Sequence, residues 1–202
     1  DKQPGLLIDD TEAVYVGPWV SSHSIGPYFN EGYQHDDNAD KGAKTATFTA
    51  RVPEDGYYHV LFAYTSGGNR STKTPVTVKS ASGEKTLTVN QRQKPDLLAF
   101  VDLGEFEFKN EADATVIVSN TDTDGHVIVD AVQFVTPDEL EVLLKLAKQK
   151  PAVAKKPAKK EEPAKPAPKI VFNRVAPPPG SVLSPADLDA MIAERIGKEA
   201  LA

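Results

Sequence analysis

Seven short runs of alternating or β-branched residues occupy most of the stretch between residues 45 and 135. The runs lie at residues 45–52, 57–65, 75–80, 84–91, 97–108, 114–120 and 126–135, and an eighth lies near Leu6–Asp9. Turn-forming Gly, Pro, Asn and Asp residues separate them. This pattern predicts an all-β domain, an antiparallel β-sandwich of jelly-roll type, large enough to bury a core.

A short helix is predicted directly after the last run. Thr136 is the expected N-cap, with Pro137 at the first helical position and Glu139 at the capping-box position. An apolar helical stripe follows, formed by Leu140, Leu143, Leu144 and Ala147. Pro151 ends the pattern, so the connector helix is predicted over residues 137–149.

The chain then changes character, because residues 148–169 are a Pro/Ala/Lys tract without apolar periodicity. Closely spaced prolines forbid helix and favour extended polyproline II, so residues 150–172 are interpreted as a disordered linker. The alternative is a polybasic tail for nucleic acid or an acidic polymer, although Glu161 and Glu162 interrupt its charge. Residues 173–202 carry one amphipathic helix and are interpreted as the start of a further, truncated domain, beyond a β-sandwich domain at 1–136.

Charge and composition exclude several functions. Residues 1–139 hold 22 acidic against 11 basic side chains, a net −11 that would repel a nucleic acid. The chain has no cysteine, which excludes disulfides and thiolate metal sites. No apolar run is long enough for a transmembrane segment, and the first ten residues do not read as a signal peptide.

Several motifs in order resemble one bacterial family. They are IDDTEA (8–13), GPWVSS (17–22), YQHDDNADKGAKTATF (33–48), PEDGYYHVLFAYTSGGNRSTKTPVTV (53–78), VNQ (89–91), LGEFEF (103–108) and VSNTDTDGHVIVDAVQF (118–134). Together they resemble the golvesin C-terminal-like domain, also described as a xanthan lyase carbohydrate-binding-like domain, over about residues 6–135. The resemblance implies a β-sandwich module attached to secreted enzymes and cell-surface proteins.

A long polar and aromatic loop, residues 17–44, has no strand period and supplies most of the candidate ligand site. Sugar rings stack on Trp or Tyr, and their hydroxyls bond to Asn, Arg, Asp or His. The residues of these types that also match the family pattern are Trp19, Tyr28, Tyr33, His35, Asn69 and Arg70. The alternatives are that Trp19 plugs the sandwich and that Arg70 pairs with an acidic neighbour.

His35, Asp36, Asp37 and Asp40 form a second cluster, in which His beside carboxylates suits a general base or a metal ligand. No serine elbow, HExxH helix or glycosidase carboxylate pair accompanies the cluster, so no catalytic residue is predicted. The preferred interpretation is a loop ordered by Asx turns and by an ion pair to Lys41 or Lys44.

Asn120, Asp122 and Asp124, followed by Gly125, mimic the opening of a calcium loop. Ala131 stands where an EF-hand would need Glu, so a tight hairpin is preferred and structural calcium stays an open possibility. No other cofactor is predicted. His126 and Asp130 are then expected to be outward-facing strand positions.

The predicted function is a non-catalytic carbohydrate-binding-like module of a larger exported bacterial protein. It would target the secreted, periplasmic or cell-surface parent protein to a polysaccharide or cell-envelope glycan and would contact neighbouring domains of that protein. One alternative is a structural spacer that packs on a neighbouring catalytic domain through an exposed apolar patch. Another is a lyase or hydrolase that uses Tyr33, His35 and Arg70, which would have to converge in one cleft.

Overall fold

The computed structural model describes residues 4–97 and 99–149. The strands are β1 (Leu6–Asp9), β2 (Val14–Val16), β3 (Val20–Ser22), β4 (Tyr33–His35), β5 (Thr45–Ala50), β6 (Gly56–Ala63), β7 (Thr74–Ser80), β8 (Gly83–Val89), β9 (Phe100–Phe108), β10 (Ala114–Ser119), β11 (Ile128–Val129) and β12 (Ala131–Val135). One helix, α1 (Pro137–Gln149), follows, and a short 3₁₀ turn, Asp10–Glu12, follows β1.

Two antiparallel sheets face each other. One has the strand order β1-β12-β6-β9 and the other β2-β5-β10-β7-β8. Phe48 and Val116 of the second sheet share a core with Phe62 and Phe134 of the first, and all four are fully buried. The predicted all-β sandwich is therefore confirmed.

Strand alternation explains how the core is built. In β10 every second residue is buried, as expected when one face of a strand meets the core. In β12 all residues are buried, because α1 covers the outer face of this sheet. Leu140 and Leu143 pack there against Leu61 and Val135.

The start of α1 is as predicted. The Thr136 N–H donates to Glu139 Oε2 at 2.8 Å, and the Glu139 N–H donates to Thr136 Oγ1 at 3.3 Å, which completes the capping box. Leu144, predicted in the buried stripe, is instead 38% exposed, because only the Leu140–Leu143 side of the helix faces the sheet.

The segment 17–44, predicted to lack strands, contributes two. β3 pairs with β4, with Val20 opposite His35, and β4 pairs with β11 to form a third, small sheet. Three-residue strands are too short to show an alternating pattern, so no sequence signal predicts them. The run 126–135 is also divided, into β11 and β12, at Asp130.

No helix in the described part of the chain is long and apolar enough to span a membrane. The predicted linker and the predicted C-terminal helix lie outside the described residues, so both remain predictions.

Candidate functional site

Five of the six predicted ligand residues lie close together in the fold; we call Tyr28, Tyr33, His35, Asn69 and Arg70 the tip cluster. Backbone bonds hold its parts together: the His126 N–H donates to the Asn69 carbonyl at 3.0 Å, and the Ser71 N–H donates to the His126 carbonyl at 2.9 Å. Gly125 permits this approach, because a Cβ there would lie 2.6 Å from the Arg70 carbonyl. The chain just before β11 therefore fixes the position of Asn69 and Arg70.

Arg70 is the centre of the tip cluster and is only 5% exposed. Its Nε and Nη2 donate to the Thr65 carbonyl and Oγ1, each at 3.2 Å, and its Nη1 donates to Asn69 Oδ1 at 2.8 Å. Among the described residues, no carboxylate lies within ion-pair distance of this guanidinium. The acidic neighbour considered for Arg70 is thus replaced by neutral acceptors.

The Tyr33 ring lies next to Arg70, and the Tyr28 ring lies next to Tyr33. The guanidinium carbon lies 5.9 Å from the centre of the Tyr33 ring, and the Tyr28 and Tyr33 rings are 6.2 Å apart. Tyr33 is 3% exposed, so its ring supports Arg70 from inside the domain. Tyr28 is half-buried, and Asn69 is exposed.

His35 presents one ring nitrogen as a donor. Its Nδ1 accepts the backbone N–H of Asp37 at 3.1 Å, so the neutral ring carries its proton on Nε2. Burial, followed by the charges of His126 and Arg70, holds the pKa of His35 below its usual value. The ring is therefore neutral at pH 7, with an N–H available to an acceptor.

A metal at His35 fits this geometry poorly. One candidate oxygen or nitrogen from each of His35, Asp37 and His126 lies within 4.8 Å of the others. However, a metal on His35 Nε2 would need the proton on Nδ1, where the Asp37 N–H already donates. The arrangement suits hydrogen bonding better than metal ligation.

Trp19, the sixth predicted residue, lies in different surroundings. Its Nε1 donates to the Val16 carbonyl at 3.1 Å, and its ring lies 5.5 Å from that of Tyr15. Within residues 4–97 and 99–149, no hydrogen bond or ring contact joins Trp19 to the tip cluster. The half-buried Trp19 and Tyr15 form a separate aromatic surface.

The loop after His35 is ordered as predicted, by an Asx-type bond and an ion pair. The Asp36 carboxylate accepts the Asn38 N–H at 3.0 Å and the Val127 N–H at 2.8 Å, and it pairs with Lys41 Nζ at 2.7 Å. Burial raises the pKa of Asp36, but these bonds and one from Asn120 outweigh burial, so the net pKa is lowered.

Asn120 and Asp124, two of the three calcium candidates, have other partners. Asn120 Oδ1 accepts the N–H groups of Gly42 and Lys44 at 2.9 and 3.1 Å. Asp124 accepts the Thr72 N–H and hydroxyl, both at 2.6 Å, and these bonds lower its pKa to about 2. Asp122 is exposed, with φ 55°. The predicted hairpin is wrong, because β10 pairs with β5 and β7 whereas β11 pairs with β4, so residues 120–127 connect strands of two different sheets.

A buried group of acids was not predicted from the sequence; we call Asp9, Asp10 and Asp130 the acidic triad. The expectation that Asp130 faces outward is wrong, since it is 0% exposed and accepts the Phe29 N–H at 3.1 Å. Burial and then the neighbouring acids raise the pKa of Asp10 to about 6 and that of Asp130 to about 7. An acid inside the apolar run VIVDAVQF was the available signal.

Two openings lie near these groups. A groove of about 690 Å³ is lined by residues of β1, β3 and β4 and of the segments next to them, including Asp9, Asp10, Ser22, Tyr33 and Gln34. A smaller cavity of about 220 Å³ lies between Gly26, Pro27, Tyr64 and Pro95. Hydroxyl, amide and carboxylate groups line the groove, which suits a polar ligand.

Comparison with known proteins places this domain in a family. A family model described as the Golvesin C-terminal domain matches residues 6–136. A xanthan lyase of Bacillus sp. (strain GL1) is 32% identical over 138 residues, which are 65% of this chain and 15% of that enzyme. The chain thus spans a small part of the length of this relative.

Solved structures agree on the fold. The structure of Paenibacillus xanthan lyase matches with a TM-score of 0.62 and 30% identity over 66% of this chain and 13% of that chain. A GH26-CBM35 β-(1,4)-mannanase of Podospora anserina matches with a TM-score of 0.50 and 14% identity over 66% of this chain and 28% of that chain. At this identity the match shows the fold alone.

By fold, the described domain is an antiparallel β-sandwich. By sequence, the chain belongs to the golvesin C-terminal family.

Proposed function

We propose that this domain is a non-catalytic carbohydrate-binding module of a larger exported bacterial protein. The tip cluster is the proposed ligand site. The observation that carries the proposal is the buried, positively charged Arg70, surrounded by neutral acceptors and adjoining the exposed Asn69. The second N–H of Arg70 Nη1 has no acceptor among the described residues, and a ligand oxygen is the partner that we assign to it.

The neighbouring groups complete a site for sugar oxygens. The His35 Nε2–H is a donor, Asn69 supplies an amide, and the half-buried Tyr28 supplies an apolar ring edge. Family membership supports the same function, since this chain matches only 15% of a xanthan lyase, as an accessory domain would. Trp19 with Tyr15 is a second, separate surface on which a sugar ring could stack.

Catalysis by this domain is disfavoured by burial. A lyase or hydrolase would need Tyr33 to exchange a proton with the polymer, and this tyrosine is only 3% exposed. The proposed role is therefore binding, with any chemistry left to other parts of the parent protein.

A second candidate function is an interdomain spacer. Val142, Leu144 and Leu146 of α1 are 48%, 38% and 48% exposed, and a neighbouring domain would cover them. This role and ligand binding use different surfaces, so one experiment separates them.

Affinity gel electrophoresis of the full chain tests the proposal, with xanthan and a panel of acidic and neutral polysaccharides in the gel. We expect retardation by at least one polymer and its loss in Asn69→Ala. Asn110→Ala is the matched control, because Asn110 is also exposed but lies in the turn before β10. The 120–127 segment, which positions Asn69, follows the opposite end of β10. Trp19→Ala tests the second aromatic surface separately.

The controls decide the interpretation. Each variant is first shown to be folded by circular dichroism. Retardation that survives in Asn69→Ala but disappears in Trp19→Ala would move the site to the Tyr15–Trp19 surface. Absence of retardation on every polymer would contradict the proposed function and favour the spacer.

A further inference from the structure

The acidic triad brings the adjacent carboxylates of Asp9 and Asp10 together with Asp130, which is distant from them in sequence. Asp9 ends β1, Asp10 begins the 3₁₀ turn, and Asp130 lies between β11 and β12. They are 5%, 4% and 0% exposed, and one oxygen from each lies within 4.8 Å of the others. Ionised carboxylates this close together repel one another, and their burial removes the hydration that would stabilise their charges.

No cationic side chain compensates them. Within the described residues, none of the three carboxylates lies within 4.0 Å of a Lys, Arg or His nitrogen. The other buried acid, Asp36, has Lys41 at 2.7 Å. The triad is therefore built differently from the structural ion pair of the same domain.

A second observation points to a missing partner. Asp9 Oδ2 accepts the Thr11 hydroxyl at 2.7 Å, but Asp9 Oδ1 is buried and has no hydrogen-bond partner among the described residues. An unpaired buried carboxylate oxygen is costly, so native proteins rarely leave one without a partner. Asp9 and Asp10 also line the groove, which gives an ion a path from solvent.

We propose that Asp9, Asp10 and Asp130 together bind one calcium ion. Calcium takes carboxylate oxygens at about 2.3–2.6 Å, so oxygens around one ion are at most roughly 5 Å apart. The separations within the triad satisfy this limit. The site holds only oxygen ligands, which suits a hard cation and disfavours zinc or copper.

The ion would fasten the first strand to the last. β1 pairs with β12, with Asp9 opposite Ala131, so a cation between Asp9 and Asp130 would reinforce the sheet at this end. This inference does not depend on the proposed function, because none of its ligands belongs to the tip cluster.

Calorimetric titration of the EDTA-treated full chain with calcium chloride at pH 7.5 tests the site. We expect one ion per chain and a rise of about 5 °C or more in Tm at saturating calcium. Asp130→Asn should bind calcium at least tenfold more weakly. Asp122→Asn should bind it like the wild type, since Asp122 is an exposed acid of the rival 120–124 loop.

If Asp130→Asn does not fold, terbium luminescence of the wild type provides a second test. Terbium replaces calcium at oxygen sites and luminesces by energy transfer from a nearby tyrosine. Tyr15, whose hydroxyl donates to the Asp10 carbonyl at 2.7 Å, is placed to excite it. Calcium should quench this luminescence in the wild type.

Absence of saturable calcium binding to the folded wild type, as expected if the triad shares protons instead, would overturn the proposal. Loss of binding in Asp122→Asn but not in folded Asp130→Asn would also overturn it.

Discussion

At the scale of single residues, buried charges divide by their partners. Asp36 has a lysine and several N–H donors, whereas Arg70 has only neutral oxygens and Asp9 has one bare oxygen. A charge that is fully paired within the chain has a structural role, because a ligand could add little to it. A buried charge without an opposite charge is a better candidate for function.

Arg70→Lys tests how much the forked guanidinium contributes. An ammonium cannot donate to Thr65 and Asn69 in the same geometry, so a buried carbonyl loses its donor. We expect the free energy of unfolding to fall by about 1–3 kcal/mol, measured by urea denaturation. An unchanged unfolding midpoint would show that the Arg70 bonds contribute little.

Because Asp36 is paired in the folded chain, we expect the free energy of unfolding to fall in acid. Its pKa is lower in the folded chain than the unfolded value of about 3.9, so its contribution is complete above about pH 5 and is lost as pH falls through the folded pKa. Asp36→Asn should lower the free energy of unfolding at pH 7 by about 1.5–3 kcal/mol and flatten this pH dependence.

Denaturant unfolding at several pH values between 2.5 and 7 measures the effect. Glu111→Gln is the control, because Glu111 is exposed in a turn and should leave the profile as in the wild type. An acid profile that is equally steep in Asp36→Asn would assign the loss to other groups.

At the scale of elements, sequence patterns predicted those parts of the fold that depend on local residues. β5, β7 and β10 alternate, and α1 begins at a capping box, so each carries its own signal. β3 and β4 do not, since their pairing depends on each other and on β11. The tip cluster was predicted by residue type, but which of its side chains are buried depends on these non-local pairings.

Gly125 and Gly68 provide a matched test of the element that positions the tip cluster. Gly125→Ala should displace the Asn69–Arg70 backbone and cost about 1–3 kcal/mol, since its Cβ would meet backbone atoms at 2.6 Å. A Cβ added at Gly68 would have no heavy atom within 4 Å, so Gly68→Ala should leave stability nearly unchanged or raise it slightly. Thermal unfolding of both variants measures this, and equal effects would mean that the close approach is unimportant.

At the scale of the whole molecule, the sandwich holds two polar centres that sequence analysis could not assemble. The acidic triad joins the first strand to the last, and the tip cluster joins residues 28–35 to residues 69–70. Residue types and family motifs singled out all five tip residues as candidates, and their role as a ligand site stays a prediction. They gave no indication that Asp9 and Asp130 meet, because only the completed sheet places β1 beside β12.

The proposed ligand site is tested most directly by chemical-shift mapping of the ¹⁵N-labelled full chain during titration with oligosaccharides from the retarding polymer. We expect saturable shifts at the backbone amides of Asn69, Arg70, His35 and Tyr28, with those of Asn110 and α1 unchanged. Shifts confined to α1, to Tyr15 and Trp19, or to no residue at all would contradict a carbohydrate site at the tip cluster.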